Sequence, residues 1–309
     1  MNYEPFLQRC KSKFPQEESL YAFTDRVKEV FADDDFSDNS KACQLFYVKS
    51  KIGKTQFFRV KKYVNELYSW LLEQGKVTQA QYEKVVSLTI DDVLDEEQIR
   101  KCYFATLNDA LDFVSVVGGR RGLNGEDDLL AIKSIVILSW FGFSRSEIAN
   151  AKKSNLIASD NSIARADGTV TVLPPECFKI LHRFSQLDIQ RLFPTGNVYE
   201  LPQSIYLMRT WKNAHVTAVS VSQSVLEFNK YAEEQTGHVL STRALRHNMV
   251  LVAMLNNKEQ DSFSLTNLVK EITGGTNALV SWYKALYVKW KAVFYPEGSE
   301  RNGFVNIHR

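Results

Sequence analysis

Arg243, Arg246 and His247 crowd together in the stretch STRALRHNMVLVAML, residues 241–255. Ser241 or Thr242 can cap a helix there, which sets the three basic side chains in the first turn, where backbone N–H groups lack partners and the dipole is positive. Cations disfavour that end of a helix by about 0.3–1 kcal/mol each, so a phosphate or carboxylate is the group that would offset them. Pairing with carboxylates elsewhere on the fold is the alternative, and spacing alone leaves it open. Every residue from Met249 to Leu255 is apolar, a run that predicts a helix buried in the middle of a domain.

A second group of cations lies between Gln44 and Asn65: Lys49, Lys51, Lys54, Arg59, Lys61 and Lys62, with no acid among them. On and just before a helix, this pattern makes a basic face able to follow a sugar-phosphate backbone. It is equally the pattern of a solvated lysine-rich face. Arg120 and Arg121, in the loop GGRRGLNGEDD, are placed either to touch phosphate or to be solvated. Metal chemistry has no support, because His182, His215, His238, His247 and His308 show no ligand spacing with one another or with cysteine. No phosphate-binding glycine motif and no nucleophile elbow occurs, so nothing calls for a cofactor.

These residues must be held by a chain of 309 residues, long enough for two domains. With 38 Lys and Arg against 36 Asp and Glu the net charge is only +2, so affinity for nucleic acid has to come from local clustering. Cys10, Cys43, Cys102 and Cys177 are scattered and read as reduced thiols. No signal peptide and no membrane span is visible.

Apolar spacing predicts helices over residues 20–31, 41–51, 55–75 and 78–88, the third capped by Thr55, with Phe57, Val60, Val64, Leu67 and Leu71 on one face and Gly75 as its stop. The acidic stretch IDDVLDEEQIRK suggests a boundary: residues 1–92 as a helical domain, 93–101 as linker, 102–309 as a second domain. In the latter, helices are predicted over 107–117 and 127–140, and Ser144 with Glu147 fits a capping box opening another. Residues 162–172 alternate around Asp167-Gly168 as a hairpin, ended by Pro174-Pro175. Further helices are predicted over 176–184, near 187–193, and over 222–236, 264–272 and 277–294. The tail from residue 296 reads as loosely structured.

This order of parts resembles the tyrosine recombinase (phage integrase) family over most of the chain. Residues 55–81, TQFFRVKKYVNELYSWLLEQGKVTQAQ, look like its helical, SAM-like core-binding domain; 139–156, SWFGFSRSEIANAKKSNL, look like its first box; and 162–175 fit the hairpin that follows. LSTRALRHN, residues 240–248, is similar to its second box, and ITGGTNALVSWYKALY, 272–287, stands where the family carries its nucleophilic tyrosine. The resemblance implies a mainly α, tyrosine-recombinase-like two-domain fold: an N-terminal helical core-binding domain and a mostly helical C-terminal domain carrying a small β-hairpin.

In the family a tyrosine attacks phosphorus, two arginines bind the phosphoryl oxygens, and a lysine and two histidines move protons. Here Ser144 stands where the first arginine belongs, with Arg145 one residue out of register. The hairpin offers Arg165 and no lysine, Arg243 replaces the first histidine of the second box, and Gly274 replaces the other. Arg246 and Tyr283 remain as vestiges, Tyr287 being the fallback. The loss of a single transition-state donor costs about 2.7–4 kcal/mol. The resemblance therefore implies a protein that keeps double-stranded DNA and drops strand cleavage. Its expected contacts are Lys49, Lys51, Lys54, Arg59, Lys61, Lys62, Arg120, Arg121, Arg145, Arg243, Arg246 and His247.

In overall plan it is similar to the integrase-like repressors of temperate phages of the SPβ type. That implies a sequence-specific transcriptional repressor of a prophage, acting in lysogeny in the cytoplasm of a bacterium or phage-infected host, with a homodimer or DNA-dependent oligomer left open. The other readings are an active recombinase using Tyr283 and an interaction module that kept only the fold.

Overall fold

The computed structural model describes residues 2–14, 17–36, 38–46, 54–275 and 277–296. The described residues are mainly helical, with two small antiparallel sheets. The chain divides into two compact units, Met1–Gln98 with Gly275–Lys289, and Ile99–Gly274 with Trp290–Arg309.

In the first unit α1 (Glu4–Lys13), α2 (Glu17–Val30) and α3 (Asn39–Gln44) precede the long α4 (Lys54–Glu73). The apolar stripe of α4 is buried as its spacing predicts: Phe57, Val60, Val64, Leu67 and Leu71 are all buried, each worth about 1.5–3 kcal/mol. Arg9 of α1 pairs with Glu66 and Glu73 of α4. The side chain of Thr55, the expected cap of this helix, lies outside what is described. Gly75 follows at φ +65°, and Thr78 and Gln81 form a capping box for α5 (Gln79–Val86). The acidic stretch folds as α6 (Ile90–Val93) and α7 (Glu96–Cys102). The predicted helix over 41–51 is seen only as α3; residues 47–53 and 297–309, the tail included, lie outside the described residues.

The second unit opens with α8 (Leu107–Gly119) and α9 (Leu130–Trp140). In α9, Leu130, Ile132 and every residue from Ser134 to Trp140 are buried, and α8, α10, α11, α12 and α13 all pack against it. The buried centre of this unit is thus α9. The opening motif's helix was expected to fill that place, yet it keeps Met249, Val252, Ala253 and Leu255 half-exposed.

After α10 (Arg145–Asn150) come β1 (Leu156–Ile157), β2 (Ser162–Ala164) and β3 (Val170–Val172), antiparallel in that order. The Asp167-Gly168 turn joins β2 to β3 as predicted, with Gly168 at φ +85° and Asp167 accepting from Thr169 N and Oγ1. Pro174 and Pro175 then start α11 (Pro175–Gln186).

Where a helix was predicted near 187–193, the chain instead forms a second hairpin, β4 (Ile189–Arg191) with β5 (Val198–Glu200). The apolar residues misled: Gln190 is buried and Ile189 exposed, a period of two that Gly196 at φ +72° closes into a turn. The remaining helices are α12 (Ala218–Thr236), stopped by Gly237 at φ +71°, α13 (Thr242–Asn256), α14 (Ser262–Thr273) and α15 (Asn277–Phe294). No helix among the described residues is long and apolar enough to cross a membrane, and no group of side chains among them could hold a metal ion.

Candidate functional site

Ser241 caps α13, its Oγ accepting from Ala244 N at 3.3 Å. The approach to the cap is held by the buried Asn229 of α12, which donates to Leu240 O and accepts from Leu240 N, both at 2.8 Å. Nearly two turns into the helix, the fully buried Asn248 donates to Phe104 O at 2.7 Å. On this fixed start Arg243, Arg246 and His247 stand at i, i+3 and i+4, hence on one face.

Arg243 and Arg246 are exposed, and among the described residues neither makes an ion pair. The helix has no acid in its first turn. His247 is half-buried, with Nδ1 3.1 Å from the hydroxyl of Tyr103 and the two rings near-parallel at 24°. Burial, then the charges of Arg243 and Arg246, push His247 down to about 3. The ring is therefore neutral at physiological pH.

The first-box corner, the hairpin and α13 meet at Gly142. This residue sits at φ +87°, and a Cβ placed on it would lie 3.4 Å from both Arg165 Nη2 and Met249 Sδ. Ser144 and Glu147 form the predicted capping box of α10: Ser144 Oγ accepts from Glu147 N, and Glu147 Oε2 accepts from Ser144 N at 2.7 Å. The other oxygen of Glu147 accepts from Arg165 Nη1 at 2.8 Å. Arg165 also donates to Phe141 O at 2.7 Å and lies over the Phe143 ring at 3.9 Å. Although burial raises the Glu147 carboxyl, hydrogen bonds from Ser144 and the pairing with Arg165 hold it below its ordinary value. Ser144 and Arg165 thus both have polar atoms engaged within the corner.

The other basic residues fall into three situations. Lys49 and Lys51 lie outside the described residues, Lys54 begins α4, and Arg59 and Lys62 are exposed on it. Lys61 donates to Leu88 O at 2.7 Å, which joins α4 to the end of α5. In the second unit Arg120 donates to Gln235 O at 2.8 Å, Arg121 stacks over Tyr231 at 4.3 Å, and Arg145 donates to Ser222 Oγ at 2.6 Å. All three are exposed, but each is anchored on α12. Tyr283 and Tyr287 are buried and belong to the first unit, whereas Arg246 belongs to the second. Burial raises the Tyr287 hydroxyl.

Sequence reasoning missed Tyr103, Asn229 and Asn248. No local pattern could reveal Tyr103, because it meets His247 from 144 residues away. Asn229 and Asn248 carried the one available signal, a polar residue on an otherwise apolar helix face.

No family model and no curated protein matches the chain. Among solved structures it is similar to the XerA recombinase, with 14% identity over 93% of this chain and 96% of that one at a TM-score of 0.40. A Tn1549 transposon integrase in complex with circular intermediate DNA gives 13% identity, 91% and 94% coverage and a TM-score of 0.42. The integrase of mycobacterium phage Brujita gives 14% identity over the whole of both chains at 0.34. At such identities and scores, the family reading rests on the motif residues and where they lie.

Proposed function

We propose that this chain is a double-stranded-DNA-binding protein on a tyrosine-recombinase-like scaffold, a sequence-specific repressor of a prophage that does not cut DNA. The observation that carries the reading is the contrast around α13. Arg243 and Arg246 stand exposed and without an ion pair among the described residues, on a helix start with no acid, while Ser144 and Arg165 are consumed in structural bonds. Two guanidiniums and helix N–H groups suffice to bind a phosphodiester. Cleavage needs more, namely a general acid that can lose its proton, and arginine cannot.

In this reading residues 1–92 act as the core-binding domain, 93–101 as the linker and 102–309 as the second domain. Arg59 and Lys62 on α4 add backbone contacts, with Lys49, Lys51, Lys54 and Lys61 beside them. Arg120, Arg121, Arg145 and His247 supply the second domain's outer contacts, and the protein works in a bacterial or phage-infected cytoplasm, as a homodimer or as a DNA-dependent oligomer.

The test is a gel-shift on fragments of the source replicon with competitor DNA at two salt concentrations, alongside the Arg243→Ala/Arg246→Ala double variant. A specific fragment whose retention falls with salt and with the double variant is the expected result; no such fragment sinks the reading. A nicked suicide substrate separates regulator from recombinase. Only an active enzyme traps a covalent adduct that Tyr283→Phe abolishes.

A further inference from the structure

We propose that Arg209 and Lys153 form a binding site for a small carboxylate beside the C-terminal end of α11, built from residues that the DNA reading does not use.

Arg209 is a cation only 2% exposed, in the second unit. Its Nη2 donates to Leu187 O and, at 3.5 Å, to Ser185 O. Those carbonyls lie at the end of α11, where the helix presents about half a negative charge, so this part of the guanidinium has a structural use. Nε and Nη1 are buried as well, and among the described residues neither has an acceptor. Arginine does not release its proton, and leaving buried donors of a charged group unpaired is costly. The helix end accounts for one nitrogen of the three.

A second cation stands beside it. Leu207 N donates to Ala151 O at 2.7 Å and Lys153 N to Ile205 O at 2.8 Å, on either side of the bridge between Lys152 and Tyr206. This lacing fixes the segment that carries Arg209 against the one that carries Lys153. Lys153 is half-buried, and its ammonium makes no ion pair among the described residues. Burial, then the charge of Arg209, holds it below its ordinary value. Two like charges partly out of water repel each other, and an anion between them removes that repulsion.

The neighbouring acid does not complete the cluster. Asp188 is near enough for its charge to favour the charged forms of both cations, yet it pairs with neither. It is exposed, and its Oδ1 accepts from Gln203 Nε2 at 3.4 Å. Asp188 and the helix end together leave the two cations with an excess of less than one positive charge. One singly charged oxyanion offsets that excess, whereas a phosphate dianion overcompensates it. A carboxylate has the lone pairs to take one N–H from the guanidinium and one from the ammonium. It enters from the side of Lys153 and Asp188, the members of the cluster that reach solvent.

The experiment titrates sodium acetate against the full chain without DNA and reads the melting temperature. Sodium chloride at the same ionic strength is the reference, and sodium phosphate is the second probe. The wild type is expected to gain several degrees over chloride along a saturable curve with a millimolar midpoint, and phosphate should add less than acetate. In Lys153→Gln, whose ammonium has no ion pair to lose, the midpoint should rise about 10-fold, the weight of one charge-assisted hydrogen bond. Arg209→Gln should show no saturable gain.

A wild type that melts alike in acetate and chloride would overturn the proposal, because Asp188 or water then completes Arg209 in solution. A gain without saturation would overturn it as a general salt effect. So would an unchanged midpoint in Lys153→Gln, a comparison that stands even where Arg209→Gln does not fold. A larger saturable gain in phosphate than in acetate overturns the carboxylate assignment. No arm reads DNA affinity, so these outcomes leave the α13 reading to its own test.

Discussion

Two helix starts in the second unit carry arginines and are treated in opposite ways. At α10 an acid is built in: Glu147 caps Ser144 with one oxygen and takes Arg165 with the other. At α13 no acid is supplied in the first turn; Arg243 and Arg246 are left on the surface, and the nearby imidazole is held neutral. The first start is complete within the fold. In the proposed reading the second is completed by an anion from outside, and that difference would separate a structural arginine from a binding one better than the motif positions do.

The comparison breaks most visibly in DNA affinity. Replacing Arg243 and Arg246 together with alanine should weaken binding about 100-fold and reduce the slope of log affinity against log salt by about 2, close to one per lost phosphate contact. Arg165→Ala should leave affinity within about 2-fold and the slope unchanged, since its charge already has a partner. Filter binding over a salt series measures both. A slope that changes equally in the two variants would erase the distinction between the helix starts.

Stability should respond in the reverse order. Glu147→Ala removes half of the capping box and leaves Arg165 unpaired in a largely covered position, with a side-chain exposure of 18%. With Glu147 itself 38% exposed, solvent tempers the loss to about 1–2 kcal/mol. Arg243→Ala and Arg246→Ala should each be neutral or slightly stabilising, because they relieve cations from a positive helix end. Urea unfolding of the four single variants, Arg165→Ala included, decides it. A destabilising Arg243→Ala or Arg246→Ala would mean that these arginines do have partners in the fold.

The corner where the motifs meet offers a smaller test. Gly142→Ala forces a side chain into φ +87° and sets its Cβ against Arg165 and Met249 at 3.4 Å. The strain in the left-handed region alone is about 1–2 kcal/mol. Some of it is relieved if the flexible Met249 gives way, so a net loss near 1 kcal/mol is expected, seen as a fall in Tm. No loss would show that the corner is not held tightly enough to define the site.

Legibility in the sequence followed the range of the interaction. The capping box at Ser144 and Glu147, the stripe on α4, the Asp167-Gly168 turn and the stop at Gly237 were all readable, because each is settled by residues a few positions apart. The β4–β5 hairpin was not. Its buried face is Gln190 rather than Ile189, a choice made by what packs on it and invisible to an apolar pattern. Centrality was misassigned for a related reason: the apolar run of α13 and that of α9 look alike in sequence, and only packing makes α9 the axis. In the site, Arg243 and Arg246 were visible as cations where a helix does not favour them. The commitment of Arg165 to Glu147, and of Tyr103 to His247, depends on contacts that no spacing encodes.

The smallest expected effect tests the neutrality of the imidazole at α13. His247 has its folded-state value lowered, to about 3, below the roughly 6.5 of an unfolded histidine. The unfolded chain therefore takes up a proton as pH falls through about 6.5, while the folded chain does not until near 3, so this group's contribution to stability is full above that window and declines below it. Between pH 7.5 and 6 the decline from one such group is about 0.8 kcal/mol. His238 is also lowered, by burial first, and adds to the same slope, whereas the carboxylates held low, Glu147 among them, act only at more acid pH. In His247→Gln the slope between pH 7.5 and 6 should shrink without vanishing, the remainder belonging to His238. An unchanged slope in urea titrations at the two pH values would mean that His247 takes up its proton in the folded protein as it does in the unfolded one, so that toward pH 6 the face beside Arg243 and Arg246 gains a third positive charge.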